Sequence, residues 1–187
     1  MLSEKLKENT KAAHIDLEKV LVQKIRSIQA IDDYLEILHY FYRFFAPLER
    51  SIFPQFNGAL PDAAQRRKAD WILEDIHFFR PAYQPVFTSS STPEITSLPQ
   101  AIGALYVMEG STLGGQVICK MVAQKLDVSQ AEGFKFFSGY GEGTLAMWDN
   151  FKKYINNRSW NPEEENEVID AANRTFGLFK KMIDRNE

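Results

Sequence analysis

Four side chains that carry chemistry lie in one column of the first predicted helix. Lys7, Lys11, His14 and Glu18 are spaced by four, three and four residues, and a helix that turns about 100° per residue places them on one narrow face. The imidazole can ligate a metal, and a carboxylate one turn later can accept a hydrogen bond from its second ring nitrogen. An ordinary helical pair of His14 with Glu18, beside two solvated lysines, would give the same spacing.

Three glycines lie within a long apolar segment in the second half of the chain. Gly110, Gly114 and Gly115 interrupt the run from Ala101 to Leu126, and each glycine costs about 1 kcal/mol of helix stability relative to alanine. Gly110 and Gly114 are four residues apart, so they leave one face of the helix bare. Either a second helix or a flat ligand can approach such a face closely.

The imidazole column and the bare glycine face together predict a site for a flat metal macrocycle. The histidine would ligate the metal from one side, while the glycine backbone covers the other side. The two lysines of the column would then meet acidic groups at the edge of the macrocycle. Haem b, which carries two propionates, has this shape and charge.

Helical periodicity and the positions of glycine and proline predict an all-α fold. We expect six helices, with the glycines interrupting the fourth: Ser3–Lys24, Asp32–Phe53, Asp62–Phe79, Leu98–Leu126, Glu142–Asn156 and Pro162–Asp184. Asp62 and Asn161 are the expected N-caps of two helices, and Ser97 with Gln100 has the form of a capping box. The segment Arg80–Thr96 holds three prolines and a serine run, which predicts a long loop.

The composition is typical of an ordinary folded domain. Of the 187 residues, 44% are hydrophobic and 25% are charged, so residues 1–187 are expected to form a single domain. The net charge of −3 argues against nucleic acid as a partner. No apolar run is long enough to span a bilayer, and the one cysteine, Cys119, cannot form an internal disulfide. We therefore expect a cytoplasmic protein.

The residues around the two features resemble the haem oxygenases, in particular the bacterial enzymes that form biliverdin. Thr10–Glu18 is similar to the proximal helix of that family, whose histidine ligates the haem iron and whose glutamate four residues later supports it. Leu105–Gln116 is similar to the distal helix, whose glycines lie against the haem face. The resemblance implies that His14 is the iron ligand and that four residues of the distal motif contact haem, namely Tyr106, Gly110, Gly114 and Gly115.

The resemblance extends to side chains that would hold the edge of haem. Lys7 and Lys11 match positions that pair with the propionates in the animal enzymes, and Lys152 or Lys153 matches a further propionate contact. Phe176 matches an aromatic residue of the pocket wall.

The resemblance implies an enzyme that cleaves haem to biliverdin, carbon monoxide and ferrous iron. Haem is then both substrate and prosthetic group, and dioxygen is the oxidant. Gly110, Ser111 and Gly114 are expected to act on the reacting side of haem. The animal enzymes have an aspartate at the position of Ser111, so the resemblance leaves the proton relay of this chain undefined.

The electrons for this reaction are expected to come from a separate protein, a ferredoxin, a flavodoxin or a reductase. The chain itself has no glycine motif for a flavin or nicotinamide cofactor. Arg66–Lys68 is a run of three cations. We expect it to be a solvated face that attracts an acidic electron donor.

Two other functions are consistent with parts of the sequence. Glu36 with His39, and Glu74 with His77, form the Glu-x-x-His pairs that di-iron carboxylate oxidases use. A non-catalytic haem-binding protein would need the same proximal histidine, and Ser111 in place of an acidic residue is consistent with such a protein.

Overall fold

The computed structural model describes residues 1–84, 92–129 and 132–185. Eight α-helices run through these residues: α1 (Leu2–Asn9), α2 (Lys11–Ser27), α3 (Ile31–Ile52), α4 (Asp70–Phe79), α5 (Leu98–Leu126), α6 (Lys135–Ser138), α7 (Thr144–Asn156) and α8 (Pro162–Arg185). No described residue lies in a β-strand, which confirms the predicted all-α class. Within the same ranges, no helix has the length and hydropathy that crossing a membrane requires.

Helix α5 is the centre of the bundle. It contacts α2, α3, α6, α7 and α8, and its first half is buried almost all round, as expected for a helix without a polar face. At Gly103 it meets α8 so closely that an added Cβ atom would lie 2.2 Å from the carbonyl oxygen of Val168. This crossing fixes the position of α8 against α5.

Aromatic rings join α3 and α8 within the core. Phe44 stacks on Phe179 with ring centroids 4.7 Å apart, and Phe41 meets the same ring edge-on at 4.9 Å. Phe41 also contacts Phe137 of α6 at 5.0 Å. All four side chains are buried. Because such pairs add to the free energy of area burial, they hold α3, α6 and α8 together around α5.

The first predicted helix is wrong in one respect, because the chain forms two helices there. Helix α1 ends at Asn9 and α2 begins at Lys11, with Thr10 at the junction. The Thr10 hydroxyl donates a hydrogen bond to the Leu6 carbonyl oxygen at 2.7 Å. A hydroxyl bonded to the carbonyl one turn earlier commonly bends a helix, and this contact gives the physical reason for the break.

The third predicted helix begins later than expected, at Asp70 and not at Asp62. Residues 62–69 instead form a 3-10 turn, Ala63–Gln65, and an extended connection. The Asp62 carboxylate does not cap a helix, because it accepts hydrogen bonds from the buried Arg66 side chain at 2.9 and 2.7 Å. The ion pair with the buried arginine therefore uses the carboxylate that the sequence predicted as an N-cap, and the helix begins later.

The remaining helix boundaries follow the predictions more closely. Helix α5 runs through its glycines without a break, so the expected interruption is wrong. The Asn161 side chain accepts from the Glu164 amide at 2.9 Å, which confirms the N-cap of α8. Helix α7 begins at Thr144, after a 3-10 turn at Gly141–Gly143. Part of the predicted loop, residues 85–91, lies outside the described residues.

The buried carboxylate of Asp75 holds the start of α6 and makes stability depend on pH. It accepts hydrogen bonds from the amides of Lys135 and Phe136 at 2.7 and 2.8 Å. Burial raises the pKa of Asp75 to about 6, although the two backbone hydrogen bonds oppose the rise. The folded state therefore binds this proton more tightly than the unfolded state. The stabilising contribution of the proton is full below about pH 4 and is lost as the pH rises through 6.

Asp75→Asn is expected to remove this pH dependence. The free energy of unfolding of the wild type, measured by urea denaturation between pH 4 and 6.5, should contain a component that falls with pH, and the variant should lack it. Asp33→Asn is the control, because backbone hydrogen bonds from Gln29 and Ala30 lower the pKa of Asp33, which places its titration below this window. Identical pH slopes for the wild type and Asp75→Asn would contradict the assignment.

Candidate functional site

His14 lies on an exposed face of α2 and rests against an aromatic ring of α8. Its imidazole meets the buried ring of Phe176 edge-on, with centroids 5.6 Å apart and planes at 71°. Among the described residues no hydrogen bond joins the His14 ring to Glu18, although both side chains are exposed on the same face. The imidazole is therefore oriented by packing, and its ring nitrogens are accessible to a metal.

The turn before His14 lies beside the turn before the glycines of α5, where α2 contacts α5. Burial raises the pKa of Tyr106, and the neighbouring Thr10 side chain opposes that rise. His14 follows Thr10 by four residues, and Gly110 follows Tyr106 by four residues. The imidazole and the first glycine thus lie one helical turn beyond the same contact between packed helices.

The structure divides the glycines of α5 into two kinds. A Cβ atom on Gly114 would meet no atom within 4 Å, and one on Gly110 would lie 3.8 Å from the Trp148 ring. A Cβ atom on Gly115 would lie 2.1 Å from the carbonyl oxygen of Phe137, so close packing with α6 requires glycine there. The bare face therefore consists of Gly110 and Gly114. Gly115 instead allows α5 to pack against α6, and the sequence alone did not distinguish it from the other two glycines.

Alanine substitutions are expected to distinguish the two kinds of glycine. Gly103→Ala and Gly115→Ala should each lower the free energy of unfolding by about 1–3 kcal/mol, because backbone atoms must move to admit the methyl group. Gly114→Ala should raise it by up to about 1 kcal/mol, because alanine is the better helix former and the space is open. Urea denaturation of the three variants measures this difference. Equal losses at positions 114 and 115 would contradict it.

Lysines from both halves of the chain meet at one groove. Lys7 of α1 and Lys152 and Lys153 of α7 line a groove of about 410 Å³. The Lys152 ammonium pairs with Asp149 at 2.8 Å. Lys11, one turn after Lys7, is exposed but is not among the residues that line the groove. Two carboxylates, Glu4 and Asp149, also line the groove, so its three lysines exceed its acidic side chains by one.

Comparison with known proteins identifies the family to which this arrangement belongs. The family model of heme oxygenase matches residues 1–185. The chain belongs to the haem oxygenase family. A heme oxygenase from Xanthomonas campestris is 28% identical over 153 residues, which cover 81% of this chain and 89% of the relative. The protein is therefore an enzyme, a haem oxygenase, and its reaction is the degradation of haem to biliverdin.

Solved structures of bacterial haem oxygenases have the same fold. The NO- and CO-bound heme oxygenase of Neisseria meningitidis superposes with a TM-score of 0.80 at 25% identity, over 99% of this chain and 91% of that chain. The heme oxygenase of Leptospira interrogans superposes with a TM-score of 0.82 at 18% identity, over 98% of both chains. The second likeness is evidence for the fold alone.

A buried network of charges lies against α5 in this haem oxygenase. Arg66, only 1% exposed, donates to Glu109 at 2.7 Å, and the Tyr140 hydroxyl donates to the same carboxylate at 2.9 Å. Burial opposes the charged form of Arg66, but Glu109 and Asp62 together raise its pKa. The prediction that Arg66–Lys68 is a solvated face is therefore wrong, since Arg67 is also buried and only Lys68 is partly exposed.

Arg67 reaches the turn of α5 that contains Ser111. Its Nη2 donates to the Met108 carbonyl oxygen and to Ser111 Oγ, both at 2.6 Å. Ser111 Oγ in turn donates to the Met108 carbonyl oxygen at 2.7 Å. The single hydroxyl proton of Ser111 is therefore committed to the backbone.

The sequence analysis did not predict this network, although one residue of the sequence indicates it. Glu109 is the only charged residue in the run from Ala101 to Leu113, and a carboxylate within a buried apolar helix needs a cationic partner. The adjacent arginines, Arg66 and Arg67, lie more than forty residues earlier. No local pattern connects the two segments.

The residues of the di-iron alternative do not form a metal site. In the described parts of the chain, no group of three or more histidine, cysteine, aspartate and glutamate side chains is placed to hold a metal ion. His39 Nδ1 lies 2.5 Å from the Tyr83 hydroxyl, and His77 Nε2 lies 3.1 Å from the Tyr83 carbonyl oxygen. Glu36 accepts a hydrogen bond from Tyr40. These side chains form a polar cluster between α3 and α4.

Proposed function

We propose that haem lies between α2 and α5, with His14 as the ligand of its iron. One observation carries the proposal: the exposed imidazole and the open glycine face each lie one turn beyond Thr10 and Tyr106, which are neighbours where α2 contacts α5. Both features fit haem, because a planar macrocycle needs a ligand on one side and room on the other. Phe176, buried beside His14, would form one wall of the pocket.

The lysine groove fits the propionates of haem. Lys7, Lys152 and Lys153 would neutralise these two carboxylates, and Lys11 on the same column as Lys7 would add a further cation. Charge-assisted hydrogen bonds of this kind are stronger than neutral ones. Their role would be to fix the rotation of haem in its plane, and hence which edge of the macrocycle lies beneath the glycine face.

The chain's own groups would act on the reaction through space and orientation. When bound, haem supplies the iron that activates dioxygen and the macrocycle that is oxidised. Gly110 and Gly114 keep the reacting side free of side chains, Tyr106 supports the turn before them, and Ser111 offers an oxygen fixed by Arg67. Glu18, exposed one turn after His14, would accept a hydrogen bond from the imidazole once the iron is bound.

Dioxygen and a separate electron donor complete the proposed reaction. The structure of the Neisseria enzyme is of its NO- and CO-bound forms, and both are diatomic ligands like dioxygen. The electrons would come from a ferredoxin, a flavodoxin or a reductase, since the chain has no glycine motif for flavin or nicotinamide. Its one cysteine, Cys119, is buried and free, and we place the enzyme in the reducing cytoplasm.

Haem titration followed by reduction in air tests the proposal. The apoprotein should bind hemin stoichiometrically with a histidine-ligated Soret band, and ascorbate with catalase present should convert that band to biliverdin absorption. A bound haem that survives reductant and oxygen would indicate a non-catalytic haem-binding protein. Absence of stoichiometric binding would overturn the proposed site.

A further inference from the structure

Arg67 is a buried cation with neutral hydrogen-bond partners. Its guanidinium donates to the carbonyl oxygens of Met108 and Phe136 and to Ser111 Oγ, and it lies 4.1 Å from the centroid of the Phe136 ring. Within the described part of the chain, no carboxylate forms an ion pair with it. Arg66 differs, because two carboxylates neutralise it.

Stability does not explain why a cation lies there. An arginine is 5% exposed at this position, and burial of a charge costs several kcal/mol unless an opposite charge compensates it. Burial lowers the pKa of Arg67 to about 10, although attraction to the Glu109 carboxylate opposes the fall, and the side chain keeps its charge at neutral pH. Apolar residues often replace buried charges without loss of stability. The charge of Arg67 is therefore a candidate for a role in the site, beside the packing of its guanidinium against Phe136.

The charge of Arg67 is directed at the turn of α5 that contains Gly110. Both of its closest partners, Met108 and Ser111, belong to that turn. Because the Ser111 hydroxyl donates its proton to Met108, Ser111 Oγ acts toward Arg67 as an acceptor. The guanidinium thus fixes the side chain of Ser111 and places a positive charge beside the turn of the open glycine face, while the nearby Glu109 carboxylate is paired with Arg66.

We propose that Arg67 is a positioning residue whose buried charge makes the glycine side of the haem site favour an anionic ligand over a neutral one. This inference rests on the proposed haem site. Negative charge that develops on a ligand of the iron would be stabilised by a guanidinium that is already in place and shielded from water. Arg67 acts through Ser111 and the backbone of Met108, so it is not a catalytic residue in its own right.

Binding of two small probes to the haem complex tests the inference. Azide, an anion, is titrated against the ferric complex, and carbon monoxide, which is neutral, against the ferrous complex. Arg67→Gln removes the charge and keeps one NH2 donor on a shorter side chain. We expect this variant to bind azide on the order of tenfold more weakly than the wild type, with its carbon monoxide affinity little changed. Arg67→Lys, which keeps the charge, should retain more of the azide affinity.

Control variants separate charge from packing and from the haem site itself. Lys68→Met removes a cation from the next, partly exposed residue, and it should alter neither affinity. Arg67→Met is a second variant with a neutral side chain at this position. Circular dichroism first establishes that each variant is folded. An unchanged azide affinity in a folded neutral variant, or an equal loss for both probes, would overturn the inference. A wild type without a histidine-ligated haem spectrum would instead overturn the proposed site.

Discussion

Glu109→Ala is expected to lower the free energy of unfolding by about 3–5 kcal/mol. Glu109 is 3% exposed, and its carboxylate accepts hydrogen bonds from Arg66 and Tyr140. Without it, a buried guanidinium nitrogen and a half-buried phenol hydroxyl lose their acceptor. Arg66 then keeps only Asp62 as a counter-charge. Urea denaturation at pH 7, followed by circular dichroism, measures the loss.

Glu74→Ala is the matched control for this substitution. Glu74 also pairs with a cation, Lys135, but the two side chains are 55% and 46% exposed. An exposed ion pair contributes no more than about 1 kcal/mol, so this variant should remain close to the wild type. Glu109→Gln keeps the shape, removes the charge and leaves one of the two acceptor oxygens, so it should cost less than Glu109→Ala. If Glu109→Ala cost no more than Glu74→Ala, the buried network would not stabilise the fold.

The sequence predicts those features of the candidate site that depend on the spacing of residues within a single helix. The spacing of His14 and of Gly110 and Gly114 defines faces of α2 and α5, because helical geometry is local. The family resemblance added residues from distant segments, and the fold brings two of these beside residues of the His14 column. Phe176 contacts the His14 ring, and Lys152 lines the same groove as Lys7.

The parts that the sequence did not predict depend on contacts between distant segments. In the sequence, Arg66 and Arg67 are typical of a solvent-exposed cationic run. In the folded chain they are buried and bind Glu109 and Ser111. Likewise, the sequence shows several glycines in α5 but not that Gly115 meets a carbonyl oxygen of α6. A local sequence pattern does not show which residue of another helix or loop will pack against it. Burial of charge and close backbone packing therefore escaped prediction.

His14→Ala is expected to abolish histidine ligation of haem and to lower the rate of biliverdin formation by more than about 100-fold. Loss of a residue that merely supports a metal ligand costs about 10–100-fold, and loss of the ligand itself should cost more. Hemin titration should show a weaker and shifted Soret band, and the ascorbate assay in air should give little biliverdin. Retention of the wild-type spectrum would show that another residue ligates the iron.

Two further measurements decide whether this loss arises from ligation or from damage to the fold. His77→Ala removes an exposed histidine of α4 whose ring lies beside Tyr83, so it should retain the spectrum and the activity of the wild type. Imidazole added to His14→Ala should restore part of the ligated spectrum, because the open face of α2 beside Phe176 remains. Rescue by imidazole requires an intact pocket that lacks only a ligand. Restored ligation would therefore assign the effect of His14 to the iron and not to packing.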